Sequence, residues 1–283
     1  MKKLALQGLL YAGLLLLALL IWWPLWFMVM GIFLPGDELS LLLGPALGAG
    51  EGYARWFLLP NWPTLEAMAE LLLDTPEFFV VFWNSCKVAF PQILGQLLVG
   101  APAAWAFARF RFPGRKALFS LYVVLMLLPF QVTMVPSYLV LNGLNLMDTL
   151  WTIILPGIFS TYPVFIMTRS FEAIPTSVIE AAQLDGAGPL QIFLRLGLPM
   201  GLPGIISAVV LGFLDAWGAV EQPLVFLETP QRYPLALYLP EIVENNLGLS
   251  MAAGFIALMP ALLIFLFGQK YLEQGILQGA VKE

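Results

Sequence analysis

The stretch Leu4–Leu34, LALQGLLYAGLLLLALLIWWPLWFMVMGIFL, carries no charge from end to end. A helix needs about 20 apolar residues to cross the hydrocarbon core of a bilayer, and this run exceeds that. It can tilt, or bend near Pro24, where a backbone hydrogen bond is lost. Lys2 and Lys3 precede it as in a signal peptide, but a signal core spans only about 7–15 residues before a small-residue cleavage site. This core is longer and no such site follows, so the segment reads as a retained membrane helix. Composition extends that reading. Of 283 residues, 60% are hydrophobic and 11% charged, against about 25% charged in soluble domains. The chain is an integral membrane protein.

Five further apolar stretches follow, roughly Phe82–Phe107, Ala117–Pro136, Leu150–Met167, Leu202–Val220 and Met251–Phe267. The expected fold is all-α and polytopic, with six transmembrane helices. Residues 1–34 form the first helix and 35–81 an extracytoplasmic segment. Residues 82–271 form a five-helix core with an inner loop at 169–202, and 272–283 a cytoplasmic tail. In the extracytoplasmic segment, Thr64–Leu73 reads as an amphipathic helix with Leu65, Met68, Leu71 and Leu72 on one side. Thr75-Pro76-Glu77 reads as an N-cap, an N1 proline and an acid suited to the helix dipole. Positive residues favour the cytoplasmic side. With both termini inside, that side holds Lys2, Lys3, Arg109, Arg111, Arg115, Lys116, Arg169, Arg195, Lys270 and Lys282, ten of the 13 Lys and Arg. Arg55 and Arg232 fall outside and Lys87 within a span, so the orientation is N-in and C-in.

Composition also excludes chemistries. With no His and a single Cys, the chain has neither the usual general base nor a Cys-based zinc site, and no metal site is expected. A net charge of −5 gives nucleic acid no electrostatic foothold. The dipeptide Gly-Lys never occurs, which rules out the phosphate loop of an ATPase. The chain is therefore not an enzyme and needs no cofactor. Any ATP it uses must be hydrolysed by another chain.

The inner loop Arg169–Leu202 has its own punctuation. Pro175 can open a short helix filled by Thr176–Leu184, and Gly186 can close it. Gly188-Pro189 starts a second helix bearing Leu190, Phe193, Leu194 and Leu196. Two short helices meeting at a glycine make a knob whose exposed apolar residues call for a protein partner. The competing reading, an interfacial segment lying on the bilayer, usually brings several Lys and Arg. Only Arg195 is present here.

The run Glu180-Ala181-Ala182-Gln183-Leu184-Asp185-Gly186-Ala187, followed by Leu196-Gly197-Leu198-Pro199, resembles the EAA motif of ABC-importer permeases, with Leu196 in place of an isoleucine. The likeness continues from about Asn84 to the C-terminus. It includes Ala106-Phe107-Ala108-Arg109-Phe110-Arg111-Phe112-Pro113-Gly114-Arg115, Pro129-Phe130-Gln131-Val132 and Gln269-Lys270-Tyr271-Leu272-Glu273-Gln274-Gly275. These are similar to carbohydrate permeases of the maltose type, in particular the shorter subunit of a heterodimeric pair. The resemblance implies a coupling loop that docks on an ATPase through Glu180, Ala181, Ala182, Asp185, Gly186, Leu198 and Pro199. It further implies a second permease subunit, two ATP-hydrolysing subunits, an extracytoplasmic solute-binding protein, a sugar as cargo, and residence in a bacterial or archaeal cell membrane. One departure is Trp217-Gly218-Ala219-Val220-Glu221-Gln222-Pro223-Leu224, where the family commonly shows W-N-[DE]-F and then W-P-L. A peptide or other polar solute is the alternative cargo. An ion-coupled secondary transporter using Asp215 or Glu221, and a non-transporting scaffold, are the alternatives from other classes.

Polar residues in or near the spans mark candidate pathway or gate positions, namely Lys87, Gln131, Asp215, Trp217 and Glu221. A lone charge at membrane depth costs at least about 2.5–3.5 kcal/mol. Lys87 is therefore expected either to meet Asp215 or Glu221 or to extend to the headgroups. Asn84, Gln92 and Gln96 can line a path or bond neighbouring helices. Trp217 can stack on a sugar or simply pack.

Overall fold

An uncharged run rich in Leu has no reason to stop before its polar end, and the first helix, α1 (Lys2–Ile32), continues through Pro24. The computed structural model describes residues 2–47, 52–239 and 247–280, with side chains for 6–47, 52–239 and 247–273. Val281, Lys282 and Glu283 lie outside the described residues, as do the side chains of Lys2, Lys3 and Gln274. Contacts divide the chain into two units. One is Met1–Phe79 with Leu239–Met259, and the other is Val80–Tyr238 with Pro260–Glu283.

In the first unit, most of α1 is bare along its length, as lipid-covered helix would be, and only its end packs. Leu34, Leu39 of α2 (Gly36–Leu43), Phe57 and Leu247 form a small core. Phe27 stacks on Phe57 with centroids 4.4 Å apart. The helix expected over Thr64–Leu73 is shorter, a turn at Glu66–Ala69 running into a wider π turn at Glu70–Asp74. Its buried side is Ala67 and Leu71, while Leu65 is 63% exposed. The core is reached by the i, i+4 pair Ala67/Leu71, which displaces the face chosen from the leucines. Thr75 does not cap the next helix with its side chain. Its hydroxyl donates to the Glu70 carbonyl at 3.1 Å, and the helix starts at Pro76.

The second unit is built on α3 (Pro76–Arg109), which holds Pro91 and widens to a π turn at Gln96–Gly100. Pro102 lacks the amide that would close the turn there. Gly114, at φ +81°, then turns the chain into α4 (Arg115–Leu127). The stretch expected as one span, Ala117–Pro136, is broken. The helix ends at Leu127 and resumes as α5 (Phe130–Gly143) after a 105° bend. Pro129 drives Leu128 out of the helical region, to ψ 125°. Asn145, at φ +56°, closes α5, with the Leu146 amide reaching back to Leu141.

Next come α6 (Trp151–Ile158) and α7 (Thr161–Glu172), parted at Phe159-Ser160, then α8 (Thr176–Leu184) and α9 (Pro189–Met200). A 71° bend leads from α9 into α10 (Leu202–Trp217), followed by α11 (Glu221–Phe226). Helix α7 packs between α3 and α10. The last helix, α12 (Leu247–Ala280), outruns the apolar stretch Met251–Phe267 and stays helical through Gln269 to Ala280. It is pinned in this unit where the Ser207 hydroxyl donates to the Tyr271 carbonyl at 3.0 Å. Among the described residues, four helices are long and apolar enough to cross a membrane, and six if each bent pair counts as one span.

Candidate functional site: a rooted loop and a cavity at the helix breaks

Helix α8 ends in a Schellman turn. Gly186 sits at φ +82°, its amide bonds Gln183, and the Ala187 amide bonds Ala182. Around this turn Glu180, Ala181, Asp185 and Gly186 are exposed, and Ala182 is half-buried. Leu184 is 90% exposed and Leu190 68%. Pro199 is also exposed, whereas Leu198 packs into the core behind it. Two short helices thus offer an acidic and apolar tip.

Their root is rigid. Trp105 of α3 meets Phe171 of α7 edge-on at 5.3 Å and Phe193 of α9 at 5.6 Å. Such pairs add about 0.5–1.5 kcal/mol each beyond burial. Gly197 and Gly201 let the backbone approach this cluster, because a Cβ there would meet Trp105 and Phe171 respectively. The Arg109 guanidinium donates to the carbonyls of Phe171 and Ile174, the last residues before the loop helices, and lies over the Trp105 ring. Beside it, Glu172 pairs with Arg169 at 3.1 Å and with Arg115 at 3.8 Å. Sequence reasoning counted Arg109 as a topology signal and as part of a family-like run, and gave it no structural role. Its basic-aromatic neighbourhood, Trp105 four residues earlier, was the readable hint.

Three chain breaks meet elsewhere in the same unit. Leu128 of the α4/α5 bend, Phe159 and Ser160 between α6 and α7, and Gly218–Val220 between α10 and α11 all line one cavity of about 920 Å³. Gln92 and Gln96 line it from α3, Asp215 from α10 and Glu221 from α11. The Gln96 amide donates to the Gly157 carbonyl at 2.9 Å. Gln92 is buried, and its amide oxygen has no hydrogen-bond partner among the described residues. A Cβ at Gly157 would fall on the Gln92 amide, so glycine makes room for it.

The remaining expected positions separate. Glu221 accepts from Gln131 Nε2 at 3.0 and 3.1 Å. Lys87 is exposed, and no ion pair joins it to Asp215 or Glu221 among the described residues. The expected charge pair is therefore not formed within this chain, since the amide of Gln131 occupies Glu221 instead. Trp217 is buried, stacked on Phe213 at 5.4 Å and met edge-on by Phe82, and does not line the cavity. Asn84 donates to the carbonyls of Gln231 and Tyr233, and Ser85 Oγ accepts from the Leu235 amide.

One group escaped sequence reasoning altogether. Asp148, at φ +54°, accepts from the Glu228 and Thr229 amides at 3.0 Å and from the Thr229 hydroxyl at 2.6 Å. It also pairs with Arg232 at 2.6 Å. The Thr229 hydroxyl and amide, helped by Arg232, hold its carboxyl below the usual carboxylate range.

Comparison with known proteins places these features. The profile of the binding-protein-dependent transport system inner membrane component matches residues 96–278. The chain belongs to this family. It is 37% identical over 207 residues to a probable ABC transporter permease protein of Pyrococcus horikoshii, covering 71% of this chain and 74% of that one. It is 26% identical over 275 residues to the arabinooligosaccharides transport system permease protein AraQ of Bacillus subtilis, covering 94% and 92%. Among solved structures, a bacterial ABC transporter that imports the acidic polysaccharide alginate superposes with a TM-score of 0.80. That match has 22% identity and covers 96% of this chain and 98% of that one. This permease is thus an ABC transporter subunit and a multi-pass inner-membrane protein, not an enzyme. The EAA motif is typical of its family, and the secondary-transporter and scaffold readings fall.

Proposed function

We propose that this permease is the shorter of two unlike permease subunits in an importer for a sugar or oligosaccharide. Two ATPase subunits dock on the α8–α9 tip and drive alternating access, and an extracytoplasmic binding protein delivers the solute. In this reading the six spans run N-in and C-in, which puts the tip at 169–202 in the cytoplasm.

The observation that carries the reading is the contrast between tip and root. Leu184 at 90% exposure, flanked by Glu180 and Asp185, is a surface left for a partner. The root behind it is locked by Trp105 and Arg109 to α3 and α7. A docked ATPase can therefore move the helices that frame the cavity. Relatives named for arabinooligosaccharide and galactooligosaccharide transport support the sugar as cargo. The test is uptake of neutral saccharides by the assembled importer in proteoliposomes. Uptake should need ATP and fail with Gly186→Val, while the complex still assembles. Uptake that persists without hydrolysable ATP would refute the reading.

A further inference from the structure

We infer that this subunit itself holds cargo, in the cavity at the three helix breaks, and that the site accepts a neutral polyhydroxyl solute and rejects acidic saccharides. The inference rests on the carbohydrate reading above and assigns the site and the charge of the solute it takes.

The helix breaks are the first observation. Leu128, Phe159, Ser160 and Gly218–Val220, each at an interruption of a helix, line one space of about 920 Å³, and Gln92 and Gln96 of α3 are among the residues that border it. In a membrane, interrupted helices are tolerated where they line a polar cavity.

Electrostatics is the second. Asp215 and Glu221 both line the cavity, and no Lys or Arg does. A uronate carboxylate placed there would face like charge with no cation beside it, an arrangement that specificity commonly exploits for rejection. Glu221 accepts from the neutral amide of Gln131, and Asp215 has no hydrogen bond recorded among the described residues. Two carboxylates also attract a cation, so a polyamine is the decisive competitor.

The rest of the lining is suited to hydroxyls. Gln96, Thr133, Ser160 and Tyr162 offer both donors and acceptors, as a sugar hydroxyl does. The breaks add backbone groups that a continuous helix would have consumed, and in membranes such irregular backbone is tolerated where it lines a polar cavity. Phe130 and Phe159 supply apolar faces for the C–H side of a sugar ring.

The experiment uses the chain's single cysteine. In the importer assembled with its own partners, Cys86→Ser leaves this subunit without a thiol, and Ser160→Cys puts one in the cavity wall. Alkylation by a neutral maleimide is timed with neutral trisaccharides of glucose, arabinose, galactose or mannose, with trigalacturonate, and with spermidine. The neutral saccharide that is taken up should slow labelling about tenfold once its concentration is about ten times its Kd, because labelling follows the unoccupied fraction of sites. Trigalacturonate and spermidine should not. Asp215→Asn should weaken protection by the neutral sugar and admit trigalacturonate. Equal protection by trigalacturonate or spermidine in the unmodified wall overturns the inference, as does an unchanged preference in Asp215→Asn. If a neutral saccharide is imported yet leaves the thiol unprotected, the permease reading stands and this subunit does not hold cargo. If none is imported, the carbohydrate reading falls and takes this inference with it.

Discussion

Two residues with positive φ have opposite sequence visibility. Gly186 was legible, because a glycine closing a capped helix is the usual answer to a left-handed turn. Valine there should cost about 1–2 kcal/mol in backbone strain and misplace Leu184. Its expected signature is ATP hydrolysis that no longer responds to solute, read in proteoliposomes. Asp148 was not legible, since a lone aspartate in a polar turn resembles any other, and only the tertiary fold brings Thr229 and Arg232 to it. Its carboxyl titrates below the unfolded value, so its stabilisation is complete above the unfolded carboxylate pKa of about 3.9. It is lost as pH falls through the lower folded value. Protection of the Glu228 and Thr229 amides, taken relative to intrinsic exchange at each pH, should therefore fall only under strongly acidic conditions, and Asp148→Asn should lower it at every pH. Protection already lost at about pH 6 would count against this account.

At the scale of elements, apolar length located every candidate span, but continuity was beyond it. Pro24 and Pro260 sit inside unbroken helices, whereas Pro129 ends one. The sequence rule is the same in all three cases, and what sets Pro129 apart is the extended backbone of Leu128 before it. The polar end of α12 shows a further limit, for composition marks it as a cytoplasmic tail without giving its conformation, and its backbone is helical to Ala280. Deleting Gly275–Glu283 is expected to weaken copurification with the ATPase while expression is kept. Full stoichiometry after the deletion would show the end to be dispensable. The α3–α7–α9 junction makes a sharper case. Trp105→Ala empties an aromatic site, a change that typically costs about 3–5 kcal/mol. It should lower the melting temperature of the purified complex and reduce solute-stimulated ATPase together. Gly197→Ala, which sets a methyl against the same ring, should act the same way.

For the whole molecule, the charge tally and the structure answer different questions. Lys and Arg counts bear on orientation, while the bends at residues 128, 159–160 and 218–220 are invisible to any count. The orientation has a direct check in the Cys86→Ser chain. Leu184→Cys should react with an impermeant maleimide only from the cytoplasmic face, and Tyr53→Cys, whose parent residue is 94% exposed, only from the opposite one. Labelling of both from one face would invert or break the six-span topology. Within the second unit, the grip of Arg109 on the carbonyls of Phe171 and Ile174 gives the loop no independent swivel. In the proposed function, the loop and the ends of α3 and α7 would act as one arm hinged at the three breaks around the cavity, and work done on the arm would change the cavity volume. Because coupling free energies are reciprocal, a solute that held the cavity open would push back on the arm with equal effect, and cargo in the membrane would tune how tightly the motor holds its handle.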